Sequence, residues 1–501
     1  MSATLGIDLG TSSVKAVVVT LDGTVVGQAV GDYRVSSPRR GHSESDPAQW
    51  LAATSDAVQA AVAEAGIEPV AIGVSGQMHG VVPTAEDGRP VRAAMLWSDA
   101  RAIRELAYYA KLSPGVRARL ANPLSPGMAG PLLAWLAGNE PAAWAATRWA
   151  LQPKDWLRAA LTDRYATEPS DASATLLYDV AADRWDPDVV ATLGLDEAKL
   201  PPILARSADP AGSLTEQGAA LLGLRPGLPV AAGAADTAAA ALGSGLVEPG
   251  TLQLTIGTGA QLVKPIAALP DPLPSDPVTH LYRAATDTGW YAMAAILNGG
   301  LTLDWVRRVL GASWAELYAT AAVPPRPDDP FFLPHLHGER TPYLDPGMRS
   351  AWTRLSPRHD RRDLLRAALE GVAFAVREAF DSLVEPGERV DRMRLAGGGT
   401  TDPAWRQMLA DIIGQPLLPV EVAAASALGA AALGARAAGL PDARPPHRDH
   451  ASAAVVPGVH EGLYADRRQG FHDTVAALRG IDAATPPSAV DLGVVVGTNQ
   501  A

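Results

Sequence analysis

An α/β protein built as two domains is predicted by three features of the chain. Its 501 residues exceed what a single hydrophobic core accommodates. Runs rich in β-branched residues alternate with Ala/Leu-rich runs of helical pattern. An apolar strand running into a Gly/Thr turn occurs twice, once in each half. The first copy is Gly6-Ile7-Asp8-Leu9-Gly10-Thr11-Ser12-Ser13-Val14-Lys15, and the second is Leu254-Thr255-Ile256-Gly257-Thr258-Gly259.

The elements follow in order. Val14 to Thr20 and Thr24 to Ala29 read as paired strands joined by the tight-turn dipeptide Asp22-Gly23. Asp46-Pro47 has the chemistry of a helix cap and first turn, so Ala48 to Ala65 is a helix. Val70 to Val74 is a buried strand ending at Ser75-Gly76. Glu105 to Leu120 and Pro131 to Leu136 read as helices, Leu228 to Ala232 as a short strand, and Asp236 to Leu242 as the start of a small-residue helix. Thr251 to Ile256 opens the second hairpin system. Leu364 to Leu383 is a long amphipathic helix, Met393 to Ala396 a strand feeding Gly397-Gly398-Gly399, and Trp405 to Ile413 a further helix. The domain boundary is placed near Gly227 to Val230, giving domains at 1–228 and 229–445. The Pro-rich run 440–457 reads as a linker to a last helix, 461–478, which is expected to pack back on the first domain. Residues 481–501 lack a helical pattern and are expected to be a mobile tail.

The hydrophobic fraction of 47% and charged fraction of 19% are those of a globular protein. A net charge of −12 disfavours a general nucleic-acid or anionic-membrane surface. It does not disfavour a nucleotide, whose phosphates are held by local N–H groups within a Debye length of roughly 8–10 Å. With no cysteine, thiolate catalysis, disulfides and Cys-ligated zinc are excluded. No signal peptide and no apolar run of membrane-spanning length is read, so a cytoplasmic enzyme is the expectation. The pattern G-x-x-x-x-G-K-[ST] is absent, which excludes a P-loop enzyme. Gly73-Val74-Ser75-Gly76-Gln77 misses the hydrolase pattern G-x-S-x-G.

Chemistry concentrates at a few turns. Gly/Thr/Ser hairpins let backbone N–H groups and hydroxyls approach phosphate oxygens. Two of them suggest one phosphate chain gripped from both sides. Only the first copy carries a carboxylate, Asp8, where the second has Thr255; a magnesium ion beside the phosphates needs such a group. Gly76-Gln77-Met78-His79-Gly80 follows a strand, where ligand loops of open α/β sheets sit, and Gln77 and His79 can bond sugar hydroxyls. In Trp97-Ser98-Asp99-Ala100-Arg101 the indole can stack on sugar C–H groups and Asp99 can accept from hydroxyls. Ala232-Gly233-Ala234-Ala235-Asp236-Thr237 sets one carboxylate on a small-residue turn at a strand end, as a helix cap or as a base. Gly397-Gly398-Gly399, and less so Gly299-Gly300, leave backbone open to a flat ligand such as adenine.

Taken in order, these motifs, with Gly338-Glu339-Arg340-Thr341-Pro342 and Glu370-Gly371-Val372, resemble the FGGY carbohydrate kinases, over roughly residues 4 to 440. Within that family the resemblance is to the xylulokinase branch, through the Gln-Met-His loop. It implies two ribonuclease-H-like (actin-like ATPase) domains flanking a central cleft, and ATP-dependent phosphorylation of D-xylulose at O5. The resemblance also implies Asp236 as catalytic base, Asp8 beside Mg²⁺ and the phosphates, and Met78 and His79 at the sugar. Thr11, Ser12, Ser13, Lys15 and Thr258 match phosphate-side positions, and Gly300 and Gly399 nucleotide-side ones. A homodimer is the family-level expectation. Relatives often carry Gly-Gly-Asp-Asn where this chain has Ala234-Ala235-Asp236-Thr237, and a Lys where it has Leu132. The nearest alternatives are a ribulose, gluconate or glycerol kinase of the same family, then an actin/Hsp70-type ATPase without sugar chemistry.

Overall fold

The computed structural model describes residues 2–421, 423–440 and 454–484. Strand β1 (Ala3–Leu9) turns at Gly10 into β2 (Ser13–Thr20), with Asp8 opposite Lys15. Asp22-Gly23 then reverses the chain into β3 (Val25–Asp32), with Gly23 at φ 86° where a side chain would be strained. Helix α1 (Pro47–Ala65) is capped by the Asp46 carboxylate, which accepts from the Ala48 amide at 2.9 Å, and is stopped by Gly66 at φ 60°. Strand β4 (Ile72–Gly76) lies parallel to β1, with Ile7 beside Val74.

The expected helix 105–120 is two pieces, a tight turn Glu105–Lys111 and a separate helix Pro114–Leu120. Pro114 lacks an amide hydrogen and forces Ser113 into an extended backbone, from which the Ser113 hydroxyl caps the second piece. The helix expected at 131–136 extends over Ala129–Asn139. Helix α2 (Pro153–Thr162), buried along nearly its whole length, escaped the sequence reading, because charged Lys154, Asp155 and Arg158 face inward. Strands β5 (Pro210–Ser213), β6 (Pro229–Ala231) and β7 (Ala234–Ala235) complete a seven-stranded sheet of order β5-β6-β4-β1-β2-β3, with β7 beside β4. Helix α3 (Asp236–Gly243) leaves its edge.

The second half repeats the plan. Strands β8 (Thr251–Ile256), β9 (Ala260–Ile266), β10 (His280–Arg283) and β11 (Trp290–Ile296) pair antiparallel in the order β10-β11-β9-β8. Helices α4 (Gly300–Val309) and α5 (Arg361–Leu383) follow. Strand β12 (Arg392–Ala396) then joins β8 in parallel, α6 (Pro403–Ile413) crosses over, and β13 (Leu417–Pro419) closes the six-stranded sheet. In both sheets the first strand thus has an antiparallel neighbour on one side and a parallel one on the other. This is the two-domain α/β fold that the sequence predicts.

Two late helices cross expectations. Helix α7 (Ala425–Ala437) follows the second sheet in sequence but lies on the first, packing Ala427 and Ala431 against Val17 and Val19. Helix α8 (Glu461–Ala484) was expected on the first domain, and it packs on the second. There Tyr464, Phe471 and Val475 join the core of Phe331, Phe374 and Trp405, and Arg467 pairs with Glu370 at 2.8 Å. The reason is chemical: the Arg467 guanidinium satisfies buried Glu370 and the carbonyls of Arg326 and Asp329 in the second domain. Most of the predicted linker (441–453) and most of the predicted tail (485–501) lie outside the described residues.

The contact of α7 with the first sheet depends on missing side chains. A Cβ on Gly73 would fall 1.7 Å from the Ala430 carbonyl oxygen, and one on Gly6 would fall 1.9 Å from that of Ala427. Backbone cannot yield as a flexible side chain does. We therefore expect Gly73→Ala to lose about 1–3 kcal/mol or more of stability, measured by urea denaturation; an unchanged midpoint would mean that α7 does not sit on β4.

Candidate active site

The parallel strands β1, β4 and β7 end side by side, and their ends carry two carboxylates. Asp8 stands beside Ser75 in the β1–β4 register, and Ala235, the residue before Asp236, stands beside Gly76. The Ser75 hydroxyl donates to Asp8 Oδ1 at 2.9 Å. Burial raises the Asp8 carboxyl above the usual range, while Ser75 and the Lys15 ammonium opposite it act in the other direction. Asp236 is the first residue of α3, and its Oδ1 accepts from the Thr237 amide at 2.6 Å and the Thr237 hydroxyl at 3.2 Å. Burial, and then the negative charge of Asp8, push its pKa up to about 7. An ordinary aspartate is a weak base for an alcohol; this one is poised near neutrality.

A buried charged cluster underlies Asp236. The Ala235 amide donates to Ser170 Oγ at 3.0 Å, and Ser170 donates to Glu168 at 2.7 Å. Glu168, Asp155 and Asp171 surround Lys154 Nζ at 3.5, 2.7 and 3.2 Å. Burial disfavours the Lys154 ammonium, but the carboxylates of Asp155, Asp171 and Glu168 more than offset it and hold its pKa above the ordinary value. The sequence reading missed this set. Its signal was the grouping of Lys154, Asp155 and Arg158 on one face of an otherwise apolar helix, a face that reads as solvent-exposed from sequence.

The first hairpin stands at the end of β1. Gly10 N donates to Ser13 O at 2.9 Å, Ser12 is exposed at the tip, and the Trp97 indole N–H donates to Thr11 Oγ1 at 3.0 Å. Thr11, Ser12, Ser13, Lys15 and Asp8 therefore form one cluster. The second hairpin stands at the end of β8, with Thr258 exposed. Its Gly257 and Thr258 carbonyls accept from Gly300 N and Leu301 N at 2.9 Å each, tying it to the start of α4. Gly397, at φ 100°, and Gly399 pack on Ile256 at the end of β8; a Cβ on Gly397 would fall 2.2 Å from Ile256 O. Thr258, Gly300 and Gly399 are thus brought together around one strand end.

The 76–80 loop follows β4. Gln77 is buried and turned inward: its side-chain amide donates to Gly10 O at 3.2 Å and its backbone amide to Leu9 O at 2.8 Å, linking this loop to the first hairpin. Met78 Sδ lies 3.9 Å from the Tyr291 hydroxyl of the second half. His79 adopts φ 73°, an uncommon conformation for a residue with a side chain. Its Nδ1 is 2.8 Å from the Ala174 carbonyl, which can only accept, so Nδ1 carries the hydrogen and Nε2 is left as an acceptor. Burial lowers its pKa to about 4, so the ring is neutral at pH 7.

Asp99 departs from expectation. Both its oxygens are taken inside the protein, by the Arg101 guanidinium at 2.7–3.0 Å, the Arg101 amide at 2.9 Å and Ser43 N at 2.7 Å. Arg101 lies two residues on and its planar fork matches the carboxylate, so Asp99 anchors the loop that presents Trp97 and does not line the open site.

Opposite the 76–80 loop stands a wall from the second half that the sequence left unassigned. The rings of His280 and Tyr282 stack at 5.4 Å, and they lie 6.5 and 5.9 Å from the His79 ring. Asn122 ties His280 to the first half, with its Oδ1 3.2 Å from His280 Nδ1 and its amide donating to Ser173 O at 3.2 Å. The Arg340 guanidinium lies 5.5 Å above the Trp97 ring. Among the described residues, no three acidic or imidazole side chains converge closely enough to hold a metal by themselves, and no helix is long and apolar enough to cross a membrane.

A model of the FGGY family of carbohydrate kinases, N-terminal domain, matches residues 3–243, and the C-terminal domain of that family matches residues 252–438. The chain is 34% identical over 417 residues to a xylulose kinase of Escherichia coli (strain K12), covering 82% of this chain and 85% of the relative. It is 31% identical to a xylulose kinase of Bacillus subtilis (strain 168), covering 86% and 87%. A solved structure of a "xyloylose kinase" from Brucella ovis superimposes with a TM-score of 0.88 at 34% identity, covering 96% of this chain and all of that one. A xylulose kinase from Rhodospirillum rubrum gives a TM-score of 0.85 at 27% identity.

Proposed function

The chain belongs to the FGGY family of carbohydrate kinases, and from that premise we propose that it transfers the γ-phosphoryl group of ATP to O5 of D-xylulose in the cytoplasm. The observation that carries this reading is the placement of Asp236. This residue directly follows β7, which runs parallel beside β4, while Asp8 lies near the end of β1 on the other side of β4, and the loop bearing Met78 and His79 leaves β4 between the two carboxylates. The similarity to xylulose kinases over more than four-fifths of the chain supports the choice of sugar.

In this reading the two hairpins hold the triphosphate through backbone N–H groups and through Thr11, Ser12, Ser13, Lys15 and Thr258. Gly300 and Gly399 leave backbone room for the nucleoside. His79 Nε2 accepts from a sugar hydroxyl, Met78 packs on the sugar's carbon face, and Trp97 closes the other side. Phosphoryl transfer has a loose transition state, so positioning and charge stabilisation dominate. Asp236 orients the 5-hydroxyl in line with the γ-phosphorus and takes its proton as the new O–P bond forms, while the ADP oxygen departs with the electron pair of the bond that breaks.

Asp8 suits a magnesium ion. Its Oδ1 is bonded to Ser75, and its Oδ2 makes no hydrogen bond among the described residues. Magnesium commonly takes one or two carboxylates and completes its shell with phosphate oxygens and water, which agrees with the sparse donor set. When bound, it would neutralise charge on the phosphates.

A panel of D-xylulose, D-ribulose, L-ribulose, gluconate and glycerol tests the proposal by kcat/KM. D-Xylulose should lead, and ATP hydrolysis without sugar should be slow, since productive geometry needs the acceptor. A higher value for another member would reassign the sugar. Hydrolysis as fast as the kinase rate would remove the coupling to the acceptor.

A further inference from the structure

Arg340 sits on a loop tied down on both sides. Before it, Glu339 accepts from Leu297 N at 2.8 Å and from Asn298 Nδ2 at 2.9 Å. After it, the Thr341 amide donates to Ala295 O at 3.0 Å, and the Thr341 hydroxyl donates to Val278 O at 3.0 Å. The backbone around Arg340 is therefore fixed to β11. The guanidinium itself has no hydrogen-bond or ion-pair partner among the described residues, although it is half-buried; its ring contact is the Trp97 face at 5.5 Å. The adjacent Glu339 carboxylate is already engaged by the Leu297, Asn298 and Arg340 amides. A partly desolvated cation on a rigid loop, without an acceptor, is a site that lacks its ligand.

Its position narrows the ligand. The charge of Arg340 reaches His79, His280 and Tyr282, and that of Asp236 reaches Tyr282 and Tyr291. Arg340 therefore addresses the part of the site walled by Trp97 and by the mutually packed His79, His280 and Tyr282 rings. A guanidinium only donates, and His79 Nε2 only accepts. Together they ask for a carbonyl oxygen next to a hydroxyl. A polyol carbon in place of the carbonyl would add a donor hydrogen facing the cation.

We propose that Arg340 is a specificity-determining residue that binds the carbonyl oxygen at the non-phosphorylated end of a 2-ketose, selecting ketoses over the corresponding polyols. This rests on the sugar-kinase reading above. The test is kcat/KM for D-xylulose and for xylitol, its C2-reduced form, in wild type, Arg340→Met and Arg340→Lys. Met should lower the D-xylulose value by about 10²–10³-fold and the xylitol value by no more than about threefold. Lys, which keeps charge but not the fork, should fall between. Calorimetric titration of the nucleotide-free protein should show the same loss in D-xylulose binding. An equal fall for both sugars in both variants, or an unchanged ketose/polyol ratio, would overturn the assignment of Arg340 alone. Wild type that phosphorylates no pentulose would overturn the underlying reading with it.

Discussion

Asp236→Asn is expected to fold, to bind ATP and sugar, and to lose about 10²–10⁴-fold in kcat. The variant keeps an oxygen that can accept from the Thr237 amide, so that hydrogen bond at the start of α3 survives while the base is removed. Two accompanying results separate a base from a structural residue. Wild-type kcat/KM should fall as the pH drops below about 7, with the slope of a single proton, because the protonated acid cannot accept from the 5-hydroxyl. The second result concerns stability. Asp236 has a folded pKa raised to about 7 from an ordinary value near 3.8, so the folded protein binds a proton that the unfolded chain has released. Its contribution is fully present below about pH 3.8 and is lost as the pH rises through 7. At pH 8 the neutral Asn variant should therefore be the more stable, by up to about 4 kcal/mol, measured by denaturant unfolding without ligands. Near-normal turnover would remove Asp236 from the chemistry. A less stable variant at pH 8 would mean that its charge is compensated in the folded state.

Asp8→Asn is the second large effect, with an expected loss of about 10²–10³-fold in kcat/KM. A titration with Mg²⁺ should require more metal for half-maximal rate; a curve that matches wild type would end the assignment of Asp8 to the metal. The pH profile supplies an independent readout. The Asp8 charge is the second cause of the raised Asp236 pKa, so its removal should move the acid limb of kcat/KM to lower pH. A limb that stays in place would mean that the two carboxylates are not in electrostatic contact.

Much of the architecture was legible because its signals are local. Asp46-Pro47 caps a helix by its own side chain, Asp22-Gly23 reverses a hairpin by its own φ, and each Gly/Thr turn needs only its neighbouring strands. The break at Ser113-Pro114 was equally local, and the helical composition on either side masked it. Asp8, Met78, His79, Trp97 and Asp236 stood out because polar or aromatic groups follow apolar strands at points where a chain leaves a sheet.

Other features carry no local mark. Asp99 reads as a free carboxylate until Arg101 folds back on it. Residues 461–478 are amphipathic wherever they pack; Glu370, almost a hundred positions earlier, decides that α8 joins the second core. His280, Tyr282 and Arg340 become a wall of the site only when the second half faces the 76–80 loop.

The sequence by itself determined the α/β class, the duplicated strand-turn plan and the carboxylates available for chemistry, because strand periodicity, caps and turns are set within a few residues. Only the tertiary structure decided that Asp236 is poised near neutrality, which carboxylates are neutralised internally, and where the late helices pack. Those outcomes depend on desolvation and on charges brought together from distant positions, and both exist only once the two sheets and their helices have assembled.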